Sequence, residues 1–395
     1  MKDAKQRRRV PAMLIGGLLT LWGVAPIAAQ DKADSAQIDR VVRAACDREV
    51  VLLGEDPSHG GGRTLAVKVV LVERLLTECG FGAVLFESQF YDFLDFERDL
   101  AAGRATRKGL ADAIGALWAN AVEFQPLIDL LYQRAVTKKT FTGGIDPQVG
   151  GITGYYSQRR LGEDLASVLE TTRAAECAAE FNRHHLWTYD ALHPFDDAAK
   201  DRLRACIVDI RATLTRLGGR APKDHDAVAA SYARYLAMAL DGDANARDLG
   251  MFENLRFQRG RRPRGEKVIV WTATTHAAKA RWPGAPWQPL GARVHEASPG
   301  RALTIGFSAL GGSVGRPGGR GPATILGPVE PGSFEAKVME GFARDLRYVA
   351  HDELKTLGRV PGRALGYAKP QTLDWSEIFD GIIVLREEAA TERVP

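Results

Sequence analysis

The sequence has few cysteines, no cysteine spacing typical of a metal site, and no long apolar run beyond its first thirty residues. The four cysteines, Cys46, Cys79, Cys177 and Cys206, include no C-x-x-C pair, which argues against a zinc ribbon or a thioredoxin-like redox site. Cys177 and Cys206 lie in one helical region and are candidates for a disulfide in an oxidising compartment. Cys46 and Cys79 are expected on helices, buried as small apolar residues.

Net charge is also absent once the first 29 residues are set aside. MKDAKQRRRV is basic, the next stretch is apolar, and Ala28 and Ala29 form a small-residue cleavage site, so residues 1–29 are predicted to be a secretory signal. The mature protein is then expected to be exported and free of the membrane; a retained N-terminal anchor is the alternative. Cleavage turns 53 basic and 49 acidic side chains into 48 of each. This balance favours neither nucleic acid nor an anionic membrane as a partner.

Short apolar runs alternate with helical patterns along the remaining chain, which is predicted to form one domain at 30–395. The β-like runs are 49–55, 83–88, 140–146, 267–273, 302–309 and 381–387. Because several are continuously apolar, they suit strands covered on both faces. We predict an α/β fold with a mostly parallel central sheet flanked by helices. The chain from about 155 to 255 is helical and charged, which indicates a large α-helical insertion.

Ionisable residues follow four successive β-like runs. Glu55 and His59 follow the first run, Glu87 ends the second, Asp146 ends the third, and His276 follows the fourth. Each has a simple structural interpretation alone, such as a turn or helix cap. In open parallel sheets, however, the carboxyl ends of the strands meet at one edge, where ligands bind. The repetition therefore predicts a functional site at that edge.

Competing motifs fail on their context. HGGG at 59–62 and GGSVG at 311–315 resemble serine-hydrolase motifs, but VGRPGGRGPA after Ser313 cannot form the helix that a nucleophile elbow requires. The phosphate loop G-x-x-x-x-G-K-[ST] is absent, and Pro57 prevents a helical H-E-x-x-H zinc site. His184 and His185 are expected on the surface or in local packing, not as ligands.

The order of several motifs resembles the erythromycin esterase family. These motifs are LLGEDPSHGGGRTLAVK, ECGFGAVLFES, LWANAVEFQPLIDLL, TGGIDPQ, RDLGMFENLRF, KVIVWTATTHAAKA and IFDGIIVL. Two details differ from the family pattern. Three residues instead of two separate Glu55 from His59, and Ala273 stands where the family has the first histidine of W-A-H-N-x-H.

The resemblance implies an α/β core with a deep cleft that hydrolyses an ester or lactone, macrolides included, with an activated water and without an obligatory metal or other cofactor. It implies catalytic roles for Glu55, His59, Arg63, Glu87 and His276. It implies substrate-binding roles for Lys68, Asp146, Arg247 and Glu253.

The chemistry of these residue types suits water activation. A neutral histidine held by a carboxylate can take a proton from water near neutral pH. We assign that role to His59, oriented by Glu55 or Glu87, with Arg63 and His276 stabilising charge on a carbonyl oxygen. The glycines after His59 are interpreted as leaving room for a substrate. The alternative is a non-catalytic exported protein that binds haem or a metal in the same cleft.

Overall fold

The structure, a computed structural model, describes residues 27–150, 156–316 and 321–395, with side chains from residue 34 onward. The predicted signal at 1–29 lies almost entirely outside the described residues, so export stays a prediction. Within the described ranges, no helix is both long and apolar enough to span a membrane.

Seven of the strands in the described chain form the central sheet. The strands are β1 (Val50–Glu55), β2 (Phe81–Gln89), β3 (Phe141–Asp146), β4 (Lys267–Ala273), β5 (Ala302–Ala309), β6 (Gly312–Val314), β7 (Thr324–Leu326), β8 (Leu346–Ala350), β9 (Arg359–Gly362), β10 (Gln371–Asp374) and β11 (Gly381–Leu385). The order in the central sheet is β3-β2-β4-β1-β5-β11-β8. Only β8 runs antiparallel in this sheet, against β11. All six predicted strands belong to it, and the predicted α/β fold is confirmed.

Helices cover both faces of the sheet. They are α1 (Ile27–Cys46), α2 (Gly62–Glu78), α3 (Phe90–Ala101), α4 (Arg107–Ile114), α5 (Ala116–Ala119), α6 (Gln125–Val136), α7 (Tyr156–Arg159), α8 (Leu161–Ala166), α9 (Thr171–Leu186), α10 (Asp197–Leu217), α11 (His225–Asp241), α12 (Ala246–Gly260), α13 (Thr274–Ala277), α14 (Leu290–Ala297), α15 (Phe334–Met339), α16 (His351–Leu357) and α17 (Trp375–Ile378). Alternate residues of β1 contribute to two different cores, Val51 and Leu53 to one and Val50 and Leu52 to the other. This two-sided burial is why the strand is a continuous apolar run.

The region between β3 and β4 is helical where it is described, from α7 to α12. Helices α8–α11 share an apolar core that includes Phe181 and Tyr232. Helix α12 belongs instead to the sheet, because Met251 and Leu255 pack with the strand residues of the central core. The predicted boundary at about 255 therefore falls inside a helix that covers the sheet.

Both cysteine pairs form disulfides. Cys177 and Cys206 join α9 to α10 with their Cα atoms 5.5 Å apart, which confirms the predicted pairing. The expectation that Cys46 and Cys79 stay unpaired is wrong, since they form a second disulfide with a Cα separation of 4.9 Å. Helices α1 and α2 pack side by side and end near each other. That proximity results from tertiary packing, so the spacing of the cysteines in the sequence does not indicate it.

Candidate active site

Four ionisable residues lie at the carboxyl ends of adjacent strands. Across the order β3-β2-β4-β1 these are Asp146, Glu87, His276 from the short helix α13 after β4, and Glu55. Each is at most 7% exposed. Residues from distant parts of the chain thus come together at one edge because the strands are parallel.

His59 is oriented by Glu55. Nδ1 of His59 lies 2.8 Å from Oε1 of Glu55, and the indole N–H of Trp118 donates to the same oxygen at 2.5 Å. Because an ionised carboxylate only accepts, we assign the proton of neutral His59 to Nδ1. Nε2 has no hydrogen-bond partner among the residues described, and the side chain keeps 10% exposure. Nε2 is therefore the nitrogen available for chemistry.

Lys68 anchors Glu55 from below. Its ammonium donates to Oε2 of Glu55 and lies 3.9 Å from the centroid of the Trp271 ring. Burial would raise the pKa of Glu55, but the charge of Lys68 and the hydrogen bond from His59 lower it overall. Burial lowers the pKa of Lys68 to about 8, against the attraction of Glu55. The predicted substrate contact of Lys68 is wrong, because the side chain is completely buried; it fixes Glu55 instead.

Glu87 is the centre of a second network. Its Oε2 accepts from the Thr272 hydroxyl at 2.7 Å and from the backbone N–H of Ala273 at 2.8 Å. Its Oε1 accepts from the Arg247 guanidinium at 2.7 Å. Burial would raise the pKa of Glu87, but the positive charges of His276 and Arg247 outweigh burial and lower it. Glu87 is thus held as a carboxylate.

The ring of His276 lies between a carboxylate and this network. Nδ1 is 3.0 Å from both carboxylate oxygens of Asp248. In the neutral ring, Nε2 accepts from Arg247 at 2.9 Å; in the protonated ring, Nε2–H has Glu87 at 3.4 Å. Burial opposes the charged form, but Glu87 and Asp248 raise the pKa of His276 overall. His276 is therefore placed to gain and release a proton inside the cluster.

Arg247 connects the end of β3 to this cluster. It donates to Oδ2 of Asp146 at 2.6 Å as well as to Glu87. Its side chain keeps 22% exposure while Asp146 is almost fully covered. Of the two predicted substrate contacts, Arg247 keeps a partly exposed side chain, and Asp146 serves to hold Arg247.

The turn that carries His59 is tightly restrained. His59 has a φ of 54°, a left-handed conformation that is uncommon for a residue with a side chain. The carboxylate of Asp56 accepts from the backbone N–H of Ser58 at 2.9 Å and of Tyr367 at 2.8 Å. The surrounding contacts hold the histidine in this conformation.

The glycines at 60–62 face protein atoms, not a substrate. A Cβ at these positions would meet the Gly315 carbonyl, the Glu388 carboxylate and the Glu123 carboxylate in turn. The interpretation that these glycines leave room for a substrate is therefore wrong. They let other segments of the chain approach the loop closely.

One of those segments is the C-terminal strap, defined here as residues 388–394. The carbonyl of Ala389 accepts from the N–H of Gly62 at 2.6 Å, and the N–H of Thr391 donates to the carbonyl of Gly60 at 3.0 Å. The strap therefore pairs with the loop on both sides of its middle glycine.

Glu388 caps helix α2 from the strap. Its carboxylate accepts from the hydroxyl of Thr64 at 2.5 Å and from the backbone N–H of Thr64 at 3.2 Å. Gly61, at the N-cap position, has no side chain to do this. A carboxylate distant in sequence thus satisfies the first turn of α2.

Two predicted residues lie elsewhere. Arg63, predicted to stabilise the carbonyl oxygen, is 38% exposed and forms an ion pair with Asp345, 3.9 Å away. Glu253, predicted to bind substrate, pairs with Arg234 at 2.8 Å and is 39% exposed. These ion pairs lie outside the two histidine networks, and the roles assigned to Arg63 and Glu253 stay predictions.

Sequence reasoning missed Asp248, Trp118 and Glu388. Asp248 directly follows Arg247, and two adjacent charged residues in a helix that covers the sheet could have indicated that Asp248 belongs to the site. Trp118 and Glu388 carried no such signal, because their partners are 63 and 324 residues away.

A cleft of 870 Å³ lies next to the segments that carry the two histidines, although neither histidine is in its lining. Ser58, which precedes His59, and Thr275, which precedes His276, line it. The ring of Trp287, also in the lining, is 6.2 Å from the ring of His276. In the described part of the chain, no group of three or more His, Cys, Asp or Glu side chains is arranged to hold a metal ion, so the haem- or metal-binding alternative gains no support.

Comparison with known proteins connects this site to a family. The family model described as erythromycin esterase matches residues 76–388. No curated protein sequence matches the chain.

Three solved structures share the fold at low sequence identity. A succinoglycan biosynthesis protein is 16% identical with a TM-score of 0.69, covering 93% of this chain and 100% of that one. A Bacillus cereus protein is 16% identical with a TM-score of 0.68, covering 90% and 93%. A mutant of the erythromycin esterase EreC in its open conformation is 15% identical with a TM-score of 0.63, covering 90% and 94%.

Proposed function

Because the chain belongs to the erythromycin esterase family, we propose that it hydrolyses a carboxylic ester or lactone with a water molecule activated by His59. The family supports a hydrolase acting on a small molecule. The family membership does not specify the mechanism or the substrate, and both are proposed here. Macrolide lactones belong in the first set of substrates to be tried.

The geometry of His59 carries the proposal. A general base needs one nitrogen free for the proton and a ring held in one orientation. Glu55 holds Nδ1 at 2.8 Å, and Trp118 and Lys68 hold Glu55 in turn. The left-handed backbone of His59 is restrained by the loop around it, and its neighbour Ser58 lines the cleft, which supports an exposed role for Nε2. Such restraint is typical of a functional position.

In the proposed reaction, water attacks the carbonyl carbon and gives its proton to Nε2 of His59. Arg247 and His276 stabilise the negative charge that develops on the carbonyl oxygen. The C–O bond then breaks, and the leaving alkoxide takes up a proton from the histidine. The products are a carboxylic acid and an alcohol, and no acyl-enzyme forms.

The test is His59→Asn. Asparagine keeps a polar side chain but cannot take up the proton, so turnover should fall by roughly 100-fold or more, with little change in KM. Thermal unfolding measured on the same sample separates catalysis from folding. The matched control is His193→Asn, because His193 is 53% exposed in the helical region. A stable His59→Asn protein with full activity would refute the proposal.

We also propose that the protein is exported. The basic and apolar segment at 1–29 supports this, as do the two disulfides, which persist in oxidising compartments. N-terminal sequencing of the recovered protein should begin near Gln30. Finding residues 2–20 intact on membrane-bound protein would contradict it.

A further inference from the structure

The proposed reaction leaves two tryptophans beside the site without a role. Trp282 and Trp287 are half-buried, and their rings form an edge-to-face pair with centroids 6.0 Å apart. Trp287 also lies next to His276. Its indole N–H is buried without an acceptor among the residues described. A buried donor without a partner is unfavourable, and an acceptor on a bound ligand would satisfy it.

The cleft that these tryptophans line is mainly apolar. Leu365 and Tyr367 form part of its wall together with several prolines. Its volume of 870 Å³ falls within the range of about 300–1,000 Å³ found for small-molecule sites. A ligand with an apolar body of several carbon atoms fits such a wall.

Positive side chains outnumber negative ones in the lining of the cleft. Asp56 is occupied by two backbone N–H groups, and Arg363 donates to the carbonyls of Ala309 and Gly327. Arg316 and Lys369 are exposed and lie at the rim. Neither forms an ion pair with another residue of the described chain. The unneutralised charge around the cleft is therefore positive.

We propose that Trp282 and Trp287 bind the apolar body of the substrate and that the cleft accepts neutral or anionic esters in preference to cationic ones. This inference rests on the proposed hydrolase function and adds the substrate class to it. The aromatic pair supplies apolar contact next to His276, and the rim repels a cation as it enters.

The test measures binding without turnover. Octanol, octanoate and octylammonium share one apolar chain and differ in charge, and their binding to the full-length protein is followed by tryptophan fluorescence and calorimetry. Octanol and octanoate should bind, and octylammonium should bind at least about tenfold more weakly. Trp287→Ala should weaken octanol binding by about tenfold or more, because the apolar contact of the ring is lost. Lys369→Gln should reduce the difference in binding affinity between octanoate and octylammonium.

Trp187→Ala is the matched control. Trp187 is 63% exposed and lies at the end of α9, outside the cleft lining, so octanol binding should not change. The inference is overturned if octanol does not bind, if Trp287→Ala binds it as well as the wild type, or if octylammonium binds as tightly as octanoate. Binding as expected without hydrolysis of any ester would refute the proposed function alone. Ester hydrolysis without octanol binding would refute this inference alone.

Discussion

At the scale of single residues, each histidine of the site depends on a carboxylate. Glu55 orients His59 and Asp248 orients His276, in each case through Nδ1. The other nitrogen of His276 then faces Arg247 and Glu87, and that of His59 has no hydrogen-bond partner among the described residues. Asp248 is a positioning residue, because it acts on the substrate only through His276.

Asp248→Asn should therefore change how His276 titrates. Asp248 raises the pKa of His276, so its loss should move the pH midpoint assigned to His276 to lower values. Loss of ring orientation should lower kcat by about tenfold or more. The pH profile of kcat measures both effects.

The control lies on the same helix. Glu253→Gln removes an exposed carboxylate that pairs with Arg234, and it should leave the profile unchanged. Arg63→Gln should also spare kcat, because its guanidinium faces Asp345. An unshifted profile in a stable Asp248→Asn protein would contradict the assigned role.

Glu87 links the site to stability in acid. Its pKa is lower in the folded protein than the ordinary 4.5, so its stabilising contribution is present above pH 4.5 and is lost as the pH falls towards the folded value. Glu87→Gln should lower the melting temperature at pH 7. Below pH 4.5, the difference in melting temperature between this variant and the wild type should become smaller. Melting curves at several pH values measure this. A difference in melting temperature that stays constant with pH would contradict this prediction. The control is Glu377→Gln at an exposed position, which should melt at the same temperature as the wild type.

At the scale of elements, the loop at 56–62 is built by contacts from outside itself. The strap at 388–394 pairs with its glycines, and Gly315 donates its N–H to the carbonyl of Gly60 at 2.8 Å. The residue at the centre of the proposed chemistry is therefore positioned by the end of the chain.

Gly60→Ala should disturb this arrangement. The new Cβ would overlap the Gly315 backbone, and backbone cannot move aside as a flexible side chain can. We expect a loss of about 1–3 kcal/mol in unfolding free energy and a clear fall in kcat as His59 shifts. Urea unfolding and kinetics measure the two effects. Gly219→Ala, with open space around the new Cβ, is the control; equal results for both variants would contradict the close packing.

At the scale of the whole molecule, one disulfide joins α1 to the end of α2 and the other joins α9 to α10. They span 33 and 29 residues. Each should contribute about 2–4 kcal/mol by restricting the unfolded chain.

Reduction should therefore lower the urea midpoint. The double variant Cys177→Ser, Cys206→Ser should show how much of this decrease comes from the bridge between α9 and α10. The double variant Cys46→Ser, Cys79→Ser should show how much comes from the bridge between α1 and α2. Thiol titration of the unfolded, unreduced protein should find no free thiols. Four reactive thiols in the unreduced protein would contradict both bridges.

Local sequence patterns alone specify the sheet and the edge at which the site lies. Apolar runs such as 267–273 specify strands buried on both faces, and polar residues cannot be accommodated until such a run ends. Glu55, Glu87, Asp146 and His276 could therefore be assigned to one edge from local pattern alone. The motif order also indicated the family.

Tertiary structure decided which of these groups meet and which residues support them. The directions of Arg63 and Glu253 depend on helix phase and on the partners across each helix, which sequence spacing does not specify. The strap, the Cys46–Cys79 bridge and the contacts of Trp118 and Glu388 join segments far apart in the chain. Such contacts come from packing many elements at once, so no local pattern records them. The physical reason is that strand burial is encoded within a few neighbouring residues, whereas the shape of the site is a sum of long-range contacts.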